Sequence, residues 1–219
     1  HVTIHDNWHV AGLRGTGSCD FSIESVHVPE DFTFPTIDVA LGRAQRGGAL
    51  YRLGLPGFVA MEHAAIALGI GRHALDEITK QAASKLRGGL APGTNATPLA
   101  QRTSFQKDLG KAELQLRSAR ALILDVFEEV WSITHDGGSP SPENQAEMRS
   151  SAREATDIAA NVTTMAYKYA GGGVLFDTNP IQRCFRDIHA ANQHFMVAVS
   201  SFEAFGQFKL GLPDANPMA

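Results

Sequence analysis

Nine histidines and two cysteines are the side chains here best suited to hold a metal or move a proton, and their spacing sorts them. His189 and His194 are five residues apart, about 140° around a helix, so they cannot chelate one ion as an i, i+4 pair does. There is no Cys-x-x-Cys, no Gly-x-x-x-x-Gly-Lys and no Gly-x-Ser-x-Gly, which disfavours a zinc enzyme, a nucleotide hydrolase and a serine hydrolase. No metal is expected. The segment Arg183-Cys184-Phe185-Arg186-Asp187-Ile188-His189-Ala190-Ala191-Asn192-Gln193-His194 is the most informative. Asp187 and His194, seven residues apart, fall on nearly one helix face, and Ala190 and Ala191 between them leave a shallow floor for a flat ring. Read as structure alone, the same residues are an Arg183–Asp187 ion pair at i, i+4 and a satisfied histidine at a bundle edge.

The elements that must position these groups are mostly helical. Residues 1 to 36 read as β-rich: Val2 and Ile4 alternate with polar residues, Phe21 and Ile23 do the same, and the pattern runs on through Val26 and Val28. Residues 37–55 are a connector with Gly42, Gly47 and Gly48. From 56 to 212 the chain reads as a four-helix bundle. The first helix, about 57–85, is rich in small residues, and the second, about 98–134, carries Phe105, Leu109, Ala112, Leu116, Ala119, Ile123, Val126 and Val130 at steps of three and four. The third, about 142–170, steps through Met148, Ala152, Ala155, Ala159, Val162, Ala166 and Tyr169. The fourth, about 180–206, has the stripe Ile188, Phe195, Val199 and Phe202. Residues 88–97 form a loop, and Ser141-Pro142 and Asn179-Pro180 start the last two helices.

Composition sets the bounds. The chain has 219 residues, 43% hydrophobic and 19% charged, with a formal net charge of -4. That balance predicts no nucleic-acid or membrane-surface partner, and no apolar run is expected to cross a bilayer. Cys19 and Cys184 are far apart and read as a reduced pair, which makes the cytoplasm the default compartment. The opening at His1, inside strand-like sequence, suggests that an N-terminal portion of a longer protein precedes it.

An ordered set of motifs then resembles one family. Trp8-x-x-x-Gly12-x-Arg14-Gly15-Thr16-Gly17-Ser18-x-Asp20, followed by Val26-x-Val28-Pro29, resembles the end of the middle β-domain of the acyl-CoA dehydrogenase superfamily. Gly171-Gly172-Gly173, Pro180, Arg183 and Arg186-Asp187 resemble the elements before its last bundle helix. Arg102-x-x-Phe105-Gln106 resembles its arginine–phenylalanine element, which contacts flavin across a subunit interface. In the dehydrogenases a Tyr-Glu-Gly-Thr element follows the Arg-Asp pair, and its glutamate removes the substrate α-proton. Counted from Arg186, those positions hold His194 and Phe195, and phenylalanine accepts no proton. Arg-Asp followed by His194 instead resembles the two-component aromatic monooxygenases.

That resemblance implies a mainly α, acyl-CoA dehydrogenase-like fold: a C-terminal four-helix bundle preceded by the last strands of a middle β-domain. It implies an oxygenase component that takes reduced FMN, or FAD, from a separate flavin reductase, reacts it with O₂ to a C4a-(hydro)peroxide and hydroxylates a small aromatic or polycyclic substrate. It makes His194 the catalytic residue beside flavin and substrate. His189, Ala190 and Ala191 line the pocket, with His189 the weaker histidine, and Thr16, Ser18, Arg102 and Phe105 hold the cofactor. It implies a homotetramer. Each role has a plain counterpart: Gly-Thr-Gly-Ser is also a good turn and Arg102 an exposed helix-start arginine, while Glu62, on the helix where a few relatives place a base, does not align well with that position and reads as a surface or packing residue. The alternatives are a thioester-oxidising flavoprotein of the same scaffold and a bundle that serves only as an oligomerisation core.

Overall fold

The computed structural model describes residues 2–43, 47–88 and 95–218. His1 and the expected loop residues Gly89, Pro92 and Gly93 lie outside them. Strands β1 (Val2–Ile4) and β2 (Phe21–Ile23) pair antiparallel, with Val2 opposite Ile23. A short helix α1 (Thr36–Ala40) precedes the long helix α2 (Gly54–Ala82). The two-residue strands β3 (Leu86–Arg87) and β4 (Thr97–Pro98) pair antiparallel, with Leu86 opposite Pro98. Helices α3 (Thr103–His135), α4 (Pro142–Ala170), α5 (Pro180–Ala191) and α6 (Ser200–Lys209) complete the chain.

Helix α4 is the hub, packing on α2, α3, α5 and α6. It starts sharply: the Ser141 side chain accepts from the Asn144 amide, Asn144 returns the bond to the Ser141 amide, and Pro142 occupies the first turn, where its missing N–H costs nothing. It stops at Gly171, whose φ of 61° favours a residue without Cβ, and a Cβ there would strike the Arg87 guanidinium that holds the Tyr169 carbonyl. The face between its caps is a stripe of small residues. Ala152, Ala155, Ala159 and Ala166 are fully buried, as are Ala60, Ala64, Ala67 and Ala74 on α2. Two such stripes let backbones approach closely. A Cβ on Gly71 would stand 3.1 Å from the Ala159 Cβ and 3.1 Å from a Leu116 methyl.

The expected periodicities of the second and third helices are realised: Phe105, Ala112, Leu116, Ala119, Ile123, Val126 and Val130 are buried on α3, and Met148 and Val162 join the alanines on α4. Helix α2 corrects one expectation. Its 29 residues contain a window of mean hydropathy 1.3, long and apolar enough to cross a membrane by length and composition. Its small-residue side is instead the centre of the bundle.

Two further expectations change. The β-rich reading of 1–36 shrinks to two three-residue strands, because Ser25 turns the chain at φ 47° before Val26 and Val28 can add to the ladder. Their side chains are exposed, and so are those of Val2, Ile4, Phe21 and Ile23. The fourth helix is not continuous. It ends at Ala191 and resumes at Ser200, and the stripe Phe195, Val199, Phe202 points outward at 56%, 60% and 38% exposure. Met196, Val197, Ser201 and Ala204 are buried in its place.

Candidate functional site

Two arginines on α4 create the break. In a continuous helix the carbonyls of Phe195 and Val197 would bond to amides four residues on. Here the buried Arg149 donates to the Phe195 carbonyl at 3.3 Å and also to that of Pro217, while Arg153 donates to the Val197 carbonyl at 2.9 Å. Charge-assisted bonds of this kind outweigh a neutral backbone bond. Asp157 holds Arg153 in an i, i+4 ion pair at 2.7 Å and receives the Asn192 amide at 3.4 Å. The chain between, from Asn192 to Val199, turns through a short 3-10 segment at Phe195–Val197.

His194 caps that segment: its Nδ1 accepts from the Met196 amide at 3.3 Å. A neutral His194 therefore carries its proton on Nε2. Its ring lies 4.8 Å from that of Phe195 and 5.2 Å from that of His63, which reaches across from α2. Partial burial lowers the His194 pKa although much of the residue faces solvent. His63 is lowered chiefly by desolvation, then by His194, while a hydrogen bond with the Ala191 backbone pulls it back up. Its Nε2 is buried with no hydrogen-bond partner, and the Asn192 Oδ1 is likewise unsatisfied.

The remaining site candidates lie as follows. His189 is one face away: it meets Thr164 Oγ1 at 3.3 Å and stands edge-on to Phe185 at 4.4 Å. Ala190 is half-buried and Ala191 is 2% exposed, packed inward. Asp187 does not take up Arg183 among the described residues. Its Oδ1 accepts the Leu13 amide at 2.7 Å, and Arg186 donates to the Ala11 carbonyl at 2.7 Å. Gly12 sits between them; a Cβ there would lie 2.1 Å from the Arg186 carbonyl oxygen. The Arg-Asp element thus clamps the N-terminal loop to α5.

Beyond that clamp the loop is exposed. Thr16 Oγ1 donates to the Leu13 carbonyl at 2.9 Å, which Trp8 Nε1 shares at 3.2 Å, and Ser18 donates to Thr16 at 3.1 Å. Arg102 is exposed at the start of α3, whereas Phe105 is 2% exposed and edge-on to Tyr169 at 5.0 Å. Tyr169 is twelve residues along α4 from Asp157, so this end of the bundle lies roughly 18 Å from the break. One chain does not bring Arg102 and Phe105 to His194. A groove of about 530 Å³ between α2 and α3, walled by Met61, Leu68, Leu116 and Ile123, includes none of the three histidines.

Sequence reasoning missed His63, Asn192 and the arginine clamp. The Arg153–Asp157 pair has a readable i, i+4 signal. Nothing local links His63 to a residue 131 positions later. Glu62, the neighbour weighed as a base, is exposed. Cys19 and Cys184 are both free thiols, and burial raises the pKa of Cys184.

Residues 61–199 match the family described as acyl-CoA dehydrogenase, C-terminal domain. The chain is 31% identical over 209 residues to indole-3-acetate monooxygenase of Pseudomonas putida, covering 95% of this chain and 51% of that protein. It is 31% identical over 227 residues to a pigment production hydroxylase of a Rhodococcus species, with coverage of 99% and 56%. Among solved structures, XiaF from a Streptomyces species in complex with FADH2 and glycerol superposes with a TM-score of 0.86 at 22% identity, over 100% of this chain and 54% of that one, a likeness of fold. The chain spans about half the length of the curated relatives it matches.

Proposed function

Since the chain belongs to the family of acyl-CoA dehydrogenase C-terminal domains, we propose that it is the bundle of an oxygenase that uses reduced flavin and O₂ to hydroxylate a small aromatic compound, with His194 as the catalytic residue. The observation that carries this reading is His194 itself. It is placed by the helix break, half open to solvent, kept neutral near working pH by burial and flanked by the exposed Phe195 ring. Names of relatives support the class: a monooxygenase acting on indole-3-acetate and hydroxylases.

The residues fit a flavin in part. The exposed His194–Phe195 face suits a flat ring. Arg102 suits a phosphate, supplied by a second copy of the chain because it lies at the other end of its own bundle; this agrees with a homotetramer. Phe105 is buried and would support Arg102 rather than touch the cofactor. Thr16 and Ser18 are spent on their own turn and would offer backbone contacts. When bound, reduced flavin supplies the electrons and the oxygen-transfer chemistry. The chain's own groups orient the ring, exclude water and hold the proton on His194 Nε2, ready to hydrogen-bond an oxygen of substrate or dioxygen. A separate reductase supplies the reduced flavin, FMN being the first choice and FAD the second.

The test is product formed per reduced flavin oxidised, in the intact protein with a panel of indoles and phenols. His194→Ala is expected to lower product at least tenfold with the fold intact. Unchanged product would sink the assignment, and bleaching of bound FAD by acyl-CoA thioesters would move the protein to the dehydrogenases.

A further inference from the structure

The feature least explained by packing is His63, a polar ring from the apolar helix α2 with a buried acceptor and no hydrogen-bond partner for it. The backbone decides how both rings are protonated. Met196 N–H occupies His194 Nδ1, which leaves the His194 hydrogen on Nε2. The Ala191 backbone bonds to the His63 ring, and since Nε2 is the unpartnered atom the bonded nitrogen is Nδ1. A neutral His63 therefore presents a lone pair on Nε2. One ring offers a donor and the other an acceptor.

Their separation suits that match. An N–H···N bond of about 3 Å, with about 1.1 Å from each nitrogen to its ring centre, needs ring centres about 5.2 Å apart. The centres stand 5.2 Å apart with planes inclined at 31°. The Met196–His194 bond is long at 3.3 Å, so the His194 ring is free to swing into line.

We propose that His63 is the positioning residue of the site: while no substrate is bound its Nε2 accepts the Nε2 hydrogen of His194, a bond that an oxygen of substrate or dioxygen takes over on binding, and the two histidines together hold at most a single proton more than their neutral pair. As a part of catalysis this rests on the reading of His194 given above; as a histidine pair it rests on the facing rings and on a rotation of His194 into line, since His63 Nε2 has no hydrogen-bond partner in the resting arrangement. An accepting nitrogen stabilises the donor more when the donor is charged, so His63 holds the His194 pKa above the value that burial alone would set. Second protonation places two cations side by side and is disfavoured. Other charges around the break are committed elsewhere. On α4, Arg153 is paired with Asp157, and Arg149 holds the carbonyls of Phe195 and Pro217. On α5, Asp187 and Arg186 hold the N-terminal loop, and His189 is bonded to Thr164. Glu62 on α2 is exposed.

The experiment needs no flavin. Diethylpyrocarbonate modifies neutral imidazole, so its rate at His194, read by peptide mass across a pH series on the intact protein, reports the His194 midpoint. His63→Phe removes the acceptor and is expected to lower that midpoint by about one pH unit, a tenfold change in the charged-to-neutral ratio at any given pH. His63→Gln keeps an acceptor oxygen and is expected to hold it within a few tenths of a unit. Should the phenylalanine fail to fold, His63→Met serves in its place. An unmoved midpoint in the acceptor-free variant, or equal movement in both variants, overturns the proposal. In turnover, His63→Phe is expected to lower kcat and shift the acidic limb of its pH profile while leaving KM unchanged. The His194→Ala product assay judges the oxygenase reading separately, so either idea can fail without the other.

Discussion

The α2–α4 seam and the α5–α6 break are built from opposite materials on two sides of one helix. The seam is dry and repetitive: alanines and Gly71 bring two backbones together with every small side chain buried. The break is polar and singular: two arginines, an aspartate, an asparagine and two histidines meet where helical hydrogen bonds have been given up. The seam supplies stability through shape. The break uses some of that stability to hold buried unsatisfied acceptors beneath an exposed His194, and strained polar groups with shifted pKa values are the usual mark of functional sites.

Overpacking the seam should have the largest effect. Ala159→Leu adds three carbons where Gly71 and Leu116 leave no room, and about 3 kcal/mol of stability should be lost in urea unfolding. A loss below about 1 kcal/mol would mean the seam is looser than the structure shows. Next comes the clamp. Arg149→Met removes the charged donor to the Pro217 and Phe195 carbonyls, of which Phe195 keeps only the Ala198 amide at 3.3 Å, costing about 2 kcal/mol. Amide exchange should rise through 194–210 and stay unchanged in α2 and α3; uniform exchange would show that the break is not a separate unit.

Acid sharpens the contrast. His63 and His194 have folded pKa values below the ordinary 6.5, so near and below that pH the unfolded chain binds more protons than the native one. Their contribution is complete above the unfolded value and falls away as pH drops through it toward the folded values. The Tm should therefore decline from pH 7.5 to 5, and His63→Gln should flatten that decline while Ala159→Leu leaves its slope alone. The smallest effect belongs to the surface. Arg72 pairs with Glu113 at 2.6 Å and Asp76 at 2.7 Å on half-exposed side chains, and Arg72→Met should cost below about 1 kcal/mol, shrinking in salt. A larger loss would make the rim of the α2–α3 groove part of the framework.

By itself the sequence determined the bundle. Steps of three and four through Phe105–Val130 and Met148–Ala166 encode which faces are buried, and Ser141-Pro142, Gly171 and Asn179-Pro180 encode where helices begin and end, because caps and stripes are local physics. It also singled out Asp187 and His194 by spacing and Arg186 by resemblance. What each one touches was decided by tertiary structure. Asp187 went to the Leu13 amide rather than to Arg183, 174 residues away in sequence rather than four. The fourth helix, regular by its own pattern, was broken because Arg149 and Arg153 on another helix offered its carbonyls stronger partners. His63 became a partner of His194 only because the small residues of α2 and α4 let α2 pass close enough. Local hydrogen bonds and periodicity are written over a few residues; competition for a carbonyl or a lone pair is settled only when distant segments meet.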